Sequence, residues 1–323
     1  MNGLKIDVDL WEAGRVHRTP ASVGTSTQAG DTRNSLAFMT AAEPKPTPEL
    51  REGNPSTTGE KTWYTFYSSQ NVAQITDDWL QARATSQTRR IEEQEQFIAD
   101  FTTYLKHRSE EVHAILSKTE DITVTPPPMY FVTGMPGTGK SFVSQELRSL
   151  FDALGMEENL DYVFTAYMAA TALQSNGQTM HHLMGANRYG DGNAANVDGQ
   201  RLQIIIVDEI SMVDAKLFST FGVKVKFKCK ESPWGAYNFG GCIVIVCGDF
   251  VQLPPTGGTT LDTPPDATYH HLTPDHVIRS GLELIWNNPA LKLFELCEQV
   301  RCDDEWWVSV WIAMHAVRQA LVG

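Results

Sequence analysis

The sequence predicts an α/β protein built on a doubly wound parallel sheet with flanking helices. Continuous apolar runs, which are typical of strands buried on both faces, alternate with segments of helical periodicity. A glycine-rich loop also lies between the first of these runs and a helical segment, as in nucleotide-binding sheets. The predicted strands span residues 129–133, 162–166, 203–208, 242–248 and 292–296.

The N-terminal quarter of the chain differs in composition from the rest. Residues 1–85 are rich in Thr, Ser, Gly, Pro and charge, which predicts a disordered, low-complexity tail before a domain over residues 86–323. Within that tail, the aromatic patch at residues 63–67 forms either a docking surface or a local cluster. Residues 87–120 then show apolar side chains at three- and four-residue spacing, which predicts a helix.

The glycine-rich loop fits the pattern G-x-x-x-x-G-K-[ST]. Its residues are Gly134, Met135, Pro136, Gly137, Thr138, Gly139, Lys140 and Ser141. Backbone N–H groups of such a loop wrap nucleotide phosphates, and the following helix N-terminus adds positive potential. In this pattern Lys140 binds the β- and γ-phosphates and Ser141 is a ligand of Mg²⁺. The alternative is a glycine-rich turn that matches by chance.

Two further strands end in polar residues. The run 203–207 is followed by Asp208 and Glu209, which suit a metal-binding acid and a base for the attacking water. The run 242–247 is followed by residues 248–255, which read Gly-Asp-Phe-Val-Gln-Leu-Pro-Pro. Gln252 has an amide that can sense a γ-phosphate, at the sheet edge where ligands bind in open α/β folds.

Together these motifs resemble the first, RecA-like motor domain of the Pif-type superfamily-1 DNA helicases, including Helitron-like helicases. The resemblance covers about residues 90–323 and rests on five segments in order. They are residues 134–141, 176–181, 207–213, 239–255 and 296–301.

The resemblance implies a role for each matched residue. Lys140, Glu209, Gln252 and Arg301 correspond to catalytic residues, and Ser141 and Asp208 to the residues that bind Mg²⁺. Gln94 corresponds to the glutamine that reads adenine, although Gln96 is equally close to the pattern. Thr179 and His181 correspond to residues that face the DNA backbone, with a capping or core histidine as the alternative for His181.

The sequence departs from the family pattern in three places. Residues 166–169 read Ala-Tyr-Met-Ala where the family has Ala-Pro-Thr-Gly, so Tyr167 either stacks on a base or fills the core. Lysines alternate with other residues over 223–230, which predicts a strand that is either a phosphate track or a lysine-guarded edge. Histidines near residues 270–276 do not have a metal-ligand spacing and are expected on a loop.

The composition argues against several classes of protein. The net charge of −13 argues against a broadly basic DNA-binding surface, and no apolar run is long enough for a membrane span. The five cysteines contain no C-x-x-C pair, so neither a zinc ribbon nor a disulfide framework is predicted. Because few residues follow Arg301, the second motor domain of such helicases is expected to be missing, and the terminal Trp306 and Trp311 to expose an apolar face.

The resemblance therefore implies a 5′→3′ DNA helicase motor that uses ATP and Mg²⁺ and binds single-stranded and duplex DNA. Repair, recombination and telomere maintenance are the implied processes, in the nucleus or alternatively the mitochondrion, with no membrane and no obligate protein partner. The competing hypotheses are an ATP- and DNA-binding module without productive unwinding, and a P-loop ATPase switch or kinase-type transferase of another class.

Overall fold

The computed structural model describes residues 62–86, 89–117, 124–185, 198–263 and 276–301, together with isolated residues between 304 and 313. A six-stranded sheet, in the order β3-β2-β4-β5-β1-β6, forms the centre of this part of the chain, and every pair of neighbouring strands is parallel. The predicted doubly wound α/β fold is confirmed.

The described strands and helices are numbered in chain order. The strands are β1 Met129–Gly134, β2 Tyr162–Ala166, β3 Gln178–Thr179, β4 Ile204–Asp208, β5 Ile243–Gly248 and β6 Leu291–Leu296. The helices are α1 Trp63–Ser69, α2 Val72–Thr85, α3 Glu92–Ser117, α4 Lys140–Ala153, α5 Ala169–Gln174, α6 Met180–Leu183, α7 Ala215–Lys228 and α8 His276–Trp286. Short 3-10 turns at Ile210–Met212 and Asn238–Gly241 complete the described structure.

Alternate residues of each central strand are buried in two different hydrophobic clusters. In β4, for example, Ile204 and Ile206 join the cluster that contains α3 and α4, whereas Ile205 and Val207 join the cluster that contains α7 and α8. Because side chains alternate across a strand, a run that is apolar at every position is covered on both faces. The five predicted strands match β1, β2, β4, β5 and β6 to within one residue at each end, whereas β3 was not predicted.

Residues 62–86 belong to the folded domain, which corrects the predicted tail at its C-terminal end. Thr62 caps α1 with its side chain, and Asn71 caps α2 in the same way. Tyr67 and Trp79 are buried in the same cluster as α3 and α4. Of the aromatic residues in α1, Phe66 and Tyr67 therefore belong to the main core, Trp63 packs against it, and Tyr64 is exposed. The rest of the predicted tail lies outside the described residues.

The prediction of a lysine-rich strand over residues 223–230 is wrong, because most of this segment is the last part of α7. The side chain of Asp214 caps this helix by accepting from the N–H of Leu217 at 3.0 Å. Phe218, Phe221 and Val225 recur at helical spacing and are buried. Burial of this apolar face stabilises the helix. In a helix, lysines two residues apart point to different sides.

Among the described residues, no helix combines the length and the apolar character that a membrane span requires.

Candidate nucleotide-binding site

The glycine-rich loop connects β1 to α4, as the motif requires. Gly137 and Gly139 have φ values of 89° and 91°, a left-handed conformation that favours glycine. Thr138 is buried, and its hydroxyl donates to the carbonyl of Met135 at 2.9 Å, which holds the loop closed on itself. The loop leads directly into the N-terminus of α4, so an anion placed there meets backbone N–H groups and the positive end of the helix dipole.

Lys140 lies among three carboxylates. Its Nζ donates to the carbonyls of Gly134 and Met135, the latter at 3.1 Å. Burial lowers the pKa of Lys140, and the negative charges of Asp249, Glu209 and Asp208 oppose that shift. The ammonium group and the three acids therefore share one electrostatic environment.

Asp208 and Glu209 are half-buried at the carboxyl end of β4. One carboxylate oxygen of Asp208 accepts from the N–H of Glu209 at 2.9 Å. Burial raises the pKa of both acids, and the charges of Asp208 and Asp249 raise the pKa of Glu209 further. Glu209 also adopts a left-handed conformation, with φ 51° and ψ 49°, which is costly for a residue with a side chain and is typical of functional sites.

The loop after β5 is organised by Asp249. This buried side chain accepts from the N–H of Val251 at 2.9 Å and from the amide of Gln252 at 3.2 Å. Because β5 lies between β1 and β4 in the sheet, this loop lies between the phosphate loop and the Asp208–Glu209 pair. The predicted site residues of the three strands thus meet at one edge.

Gln94 reaches the phosphate loop from α3. It is buried, and its side-chain amide donates to the carbonyl of Thr138 at 3.2 Å. Gln96 is exposed and donates instead to Glu92 at 3.2 Å. Of the two glutamines that the sequence left open, only Gln94 lies at the site.

The segment after β6, residues 297–301, also contacts the phosphate loop. The side-chain amide of Gln299 donates to the carbonyl of Pro136 at 2.7 Å, and the N–H of Val300 donates to the carbonyl of Gly137 at 3.0 Å. The side-chain oxygen of Gln299 also accepts from the N–H of Arg301 at 3.2 Å. Sequence reasoning found Arg301 but missed Gln299, because a single glutamine in a loop has no pattern of its own.

The two residues assigned to DNA contact lie at the β3 edge of the sheet, where Thr179 ends β3 and His181 lies in α6. Thr179 caps α6 by accepting from the N–H of His182 at 3.2 Å. His181 is exposed, and its ring centroid lies 5.8 Å from that of Tyr167. Tyr167 is partly buried and packs against the core cluster that contains α7 and α8.

The donor set at the edge of the sheet suits a hard divalent cation. The hydroxyl of Ser141, exposed in the first turn of α4, and the carboxylate of Asp208 offer oxygen ligands of the kind that Mg²⁺ prefers. The described residues do not contain a group of three or more His, Cys, Asp or Glu side chains that could hold a metal by themselves. A cation here would complete its shell with nucleotide oxygens and water.

Residues 108–264 match the model of a family described as PIF1-like helicase. The resemblance of this domain to Pif1-type helicases is confirmed. The match includes the phosphate loop, Asp208, Glu209, Gln252 and the segment that contains Thr179 and His181. Gln94 and Arg301 lie outside it.

Relatives with helicase names align over part of the chain. The human "ATP-dependent DNA helicase PIF1" is 31% identical over 193 residues, which covers 54% of this chain and 28% of the human protein. The Saccharomyces cerevisiae protein of the same name is 32% identical over 137 residues, covering 39% of this chain and 15% of the yeast protein. The chain thus spans less than a third of the length of either relative.

Solved structures of Pif1 helicases also superpose on the chain. The Pif1 helicase from Candida albicans aligns with a TM-score of 0.41 at 22% identity, over 65% of this chain and 40% of that one. The Bacteroides Pif1 helicase in complex with ADP-AlF3 and single-stranded DNA aligns with a TM-score of 0.38 at 21% identity, over 62% and 44% of the two chains.

Proposed function

We propose that this chain is the ATP-hydrolysing N-terminal motor half of a 5′→3′ DNA helicase. The observation that carries the proposal is the meeting of Lys140, Glu209 and the Asp249–Gln252 loop at the carboxyl ends of three adjacent strands. The family match over the same residues and the names of the relatives support DNA unwinding as the process that ATP hydrolysis drives.

In the proposed reaction, the phosphate loop holds the triphosphate and Lys140 neutralises charge on its β- and γ-oxygens. To do so, the ammonium group exchanges its present carbonyl acceptors, Gly134 and Met135, for phosphate oxygens. Glu209 orients the attacking water and accepts its proton, a role that suits a carboxylate whose pKa is raised by burial and by neighbouring acids.

Ser141 and Asp208 would hold Mg²⁺, which would neutralise negative charge on the nucleotide phosphates. Gln252, whose amide bonds to Asp249 in the loop after β5, would respond to the γ-phosphate. Arg301 would approach the phosphates from the segment that Gln299 and Val300 attach to the loop. Gln94 would read the base.

Single-stranded DNA is the proposed substrate track, with Thr179 and His181 as its contacts. One observation favours the second candidate function, an ATP- and DNA-binding module without productive unwinding. The Thr179 hydroxyl is already engaged in capping α6, and the turn-forming residues that precede this motif in the family are replaced by Tyr167 and Met168.

ATP hydrolysis measured with and without single-stranded DNA distinguishes the candidates. The proposal expects strong stimulation by DNA, whereas nucleotide binding without turnover supports the binding module. Turnover that ignores DNA would contradict both and favour an ATPase switch. Displacement of strands from duplexes with either a 5′ or a 3′ tail then tests the direction, and unwinding of only the 3′-tailed duplex would contradict it.

The cellular context is also part of the proposal. A helicase of this type acts on genomic DNA, so we place the protein in the nucleus, with the mitochondrion as the alternative, in DNA repair, recombination or telomere maintenance. Imaging of the tagged protein against nuclear and mitochondrial markers tests the location.

A further inference from the structure

Arg83, near the C-terminal end of α2, joins three helices around the start of the phosphate-binding helix. Two nitrogens of its guanidinium group bond to the two carboxylate oxygens of Glu95 on α3, one of them at 2.6 Å. The third nitrogen, Nε, bonds to Glu146 on α4. The Arg83 side chain is only 10% exposed, and its partners Glu95 and Glu146 are 33% and 21% exposed, so the junction is partly shielded from solvent.

The chemistry of this junction requires arginine. A planar guanidinium group bonds to one carboxylate with two parallel N–H groups and still directs its Nε–H to a second partner. A lysine ammonium group would supply the charge without that fixed geometry. The junction therefore fixes the orientation of α3 relative to α4 as well as their separation.

Glu95 is preceded on α3 by Gln94, which lies at the nucleotide site. Its amide bonds to the carbonyl of Thr138, and a Cβ atom placed on Gly139 would lie 2.4 Å from the Gln94 nitrogen. Because Gln94 has so little free space, a small rotation of this turn of α3 moves its amide relative to the loop. By binding Glu95, Arg83 restrains that rotation.

The end of α2 also borders the beginning of α4 directly. A small cleft there is lined by Arg83, Ser86, Arg90, Phe142 and Glu146, and Phe142 follows Ser141 on α4. The family match begins at residue 108, so α2 and this whole junction except Glu146 lie outside the part of the chain that the family model describes.

We propose that Arg83 is a positioning residue for nucleotide recognition: by binding Glu95 and Glu146 together, it holds Gln94 in place to read the base, and it makes base selectivity depend on the N-terminal helices. This inference rests on the proposed function, because it requires a nucleotide at the phosphate loop.

The test compares affinities of the full chain for ATP, GTP and inorganic tripolyphosphate, each with Mg²⁺, by isothermal titration calorimetry. Tripolyphosphate reports the phosphate loop alone, and the ATP:GTP ratio reports the reading of the base. Arg83→Met should reduce that ratio by about three- to thirty-fold, the usual size of coupling through packed neighbours. The affinity for tripolyphosphate should not change.

Lys106→Met is the matched control. Lys106 forms an ion pair with Asp77, so this variant also removes one cation that joins α2 to α3, but far from Gln94 along the helix. It should keep the ATP:GTP ratio of the unmodified chain. An equal loss of selectivity in both variants would mean that general docking of α2 matters, which overturns a specific role for Arg83.

The outcomes separate the inference from the proposed function. If Arg83→Met keeps its thermal transition and its ATP:GTP ratio, the inference is wrong while ATP binding stands. If the unmodified chain binds neither ATP nor tripolyphosphate, the proposed function itself fails. Should Arg83→Met not fold, Arg83→Lys decides, because it keeps the charge without the fork, and an unchanged ratio in that variant overturns the inference.

Discussion

Replacing Trp79 by alanine tests whether the N-terminal helices are part of the motor domain. Trp79 lies on α2 and is 9% exposed in the main hydrophobic cluster. Its indole N–H donates to the hydroxyl of Ser149 on α4 at 3.1 Å, and the guanidinium group of Arg83 lies 5.8 Å from its ring centroid. The variant therefore removes packing, a hydrogen bond and a cation–π contact at once.

The expected loss in the free energy of unfolding is about 3–5 kcal/mol, the usual range for truncating a buried Trp to Ala. The indole hydrogen bond, worth about 1 kcal/mol, places the value toward the upper end of that range. Against a total stability of about 5–15 kcal/mol, this loss is a large fraction. In a domain of this size it corresponds to a fall in Tm on the order of 10 °C.

Urea unfolding followed by far-UV circular dichroism measures the effect, with thermal unfolding as a second probe. Tyr64→Ala is the matched control, because this aromatic residue of α1 is 45% exposed and should change stability by less than about 0.5 kcal/mol. If Trp79→Ala were no more destabilising than Tyr64→Ala, α2 would not be packed on the domain, and the proposed role of Arg83 would also fail.

Three further predictions concern the chemistry of the site. Glu209→Gln should slow hydrolysis by about 10²–10⁴-fold with little change in ATP affinity, because a general base acts in the transition state; equal losses in turnover and binding would contradict that role. Since burial and neighbouring acids raise the pKa of Glu209, its base form is lost at a higher pH than for an ordinary glutamate, so the acid limb of the pH–rate profile should lie above the pKa of an ordinary glutamate; a limb at or below it would contradict the assignment. Gln299→Ala and Arg301→Ala should both slow turnover, and their losses should be less than additive, because Gln299 joins the phosphate loop at Pro136 to the backbone of Arg301 and so positions that residue; fully additive losses would show independent roles.

The sheet and most of the catalytic edge could be predicted from local sequence. The strands β1, β4 and β5 are apolar at nearly every position because helices cover both of their faces, and such runs are short and distinctive. The polar residues that follow them converge because the carboxyl ends of parallel strands share one edge. No knowledge of long-range packing was needed for these assignments.

The errors arose where long-range packing decides the structure. The alternation of Val and Lys after Phe221 matched a strand, but burial of Phe218, Phe221 and Val225 on one side selects the helix. Helix α2 has a polar composition, and its few buried residues, such as Trp79, are informative only once α4 is in place.

Contacts between distant residues could not be read from the sequence at all. The junction between Arg83 and Glu146 joins side chains 63 positions apart, and the contact between Gln299 and Pro136 spans 163 positions. Arg83, Glu146 and Gln299 are ordinary charged or amide residues with no local pattern. Only the folded arrangement of α2, α4 and the segment after β6 brings them together.

The most direct test of the central claim is DNA-stimulated ATP hydrolysis by the chain and by its Lys140→Ala variant. The account predicts that the unmodified chain hydrolyses ATP in the presence of Mg²⁺, that single-stranded DNA accelerates the reaction, and that Lys140→Ala binds ATP more weakly or loses turnover while keeping its thermal stability. Lys106→Met again serves as the control for loss of one lysine and should retain activity. Unchanged ATP affinity and unchanged turnover in Lys140→Ala would contradict the assignment of residues 134–141 as the phosphate-binding loop.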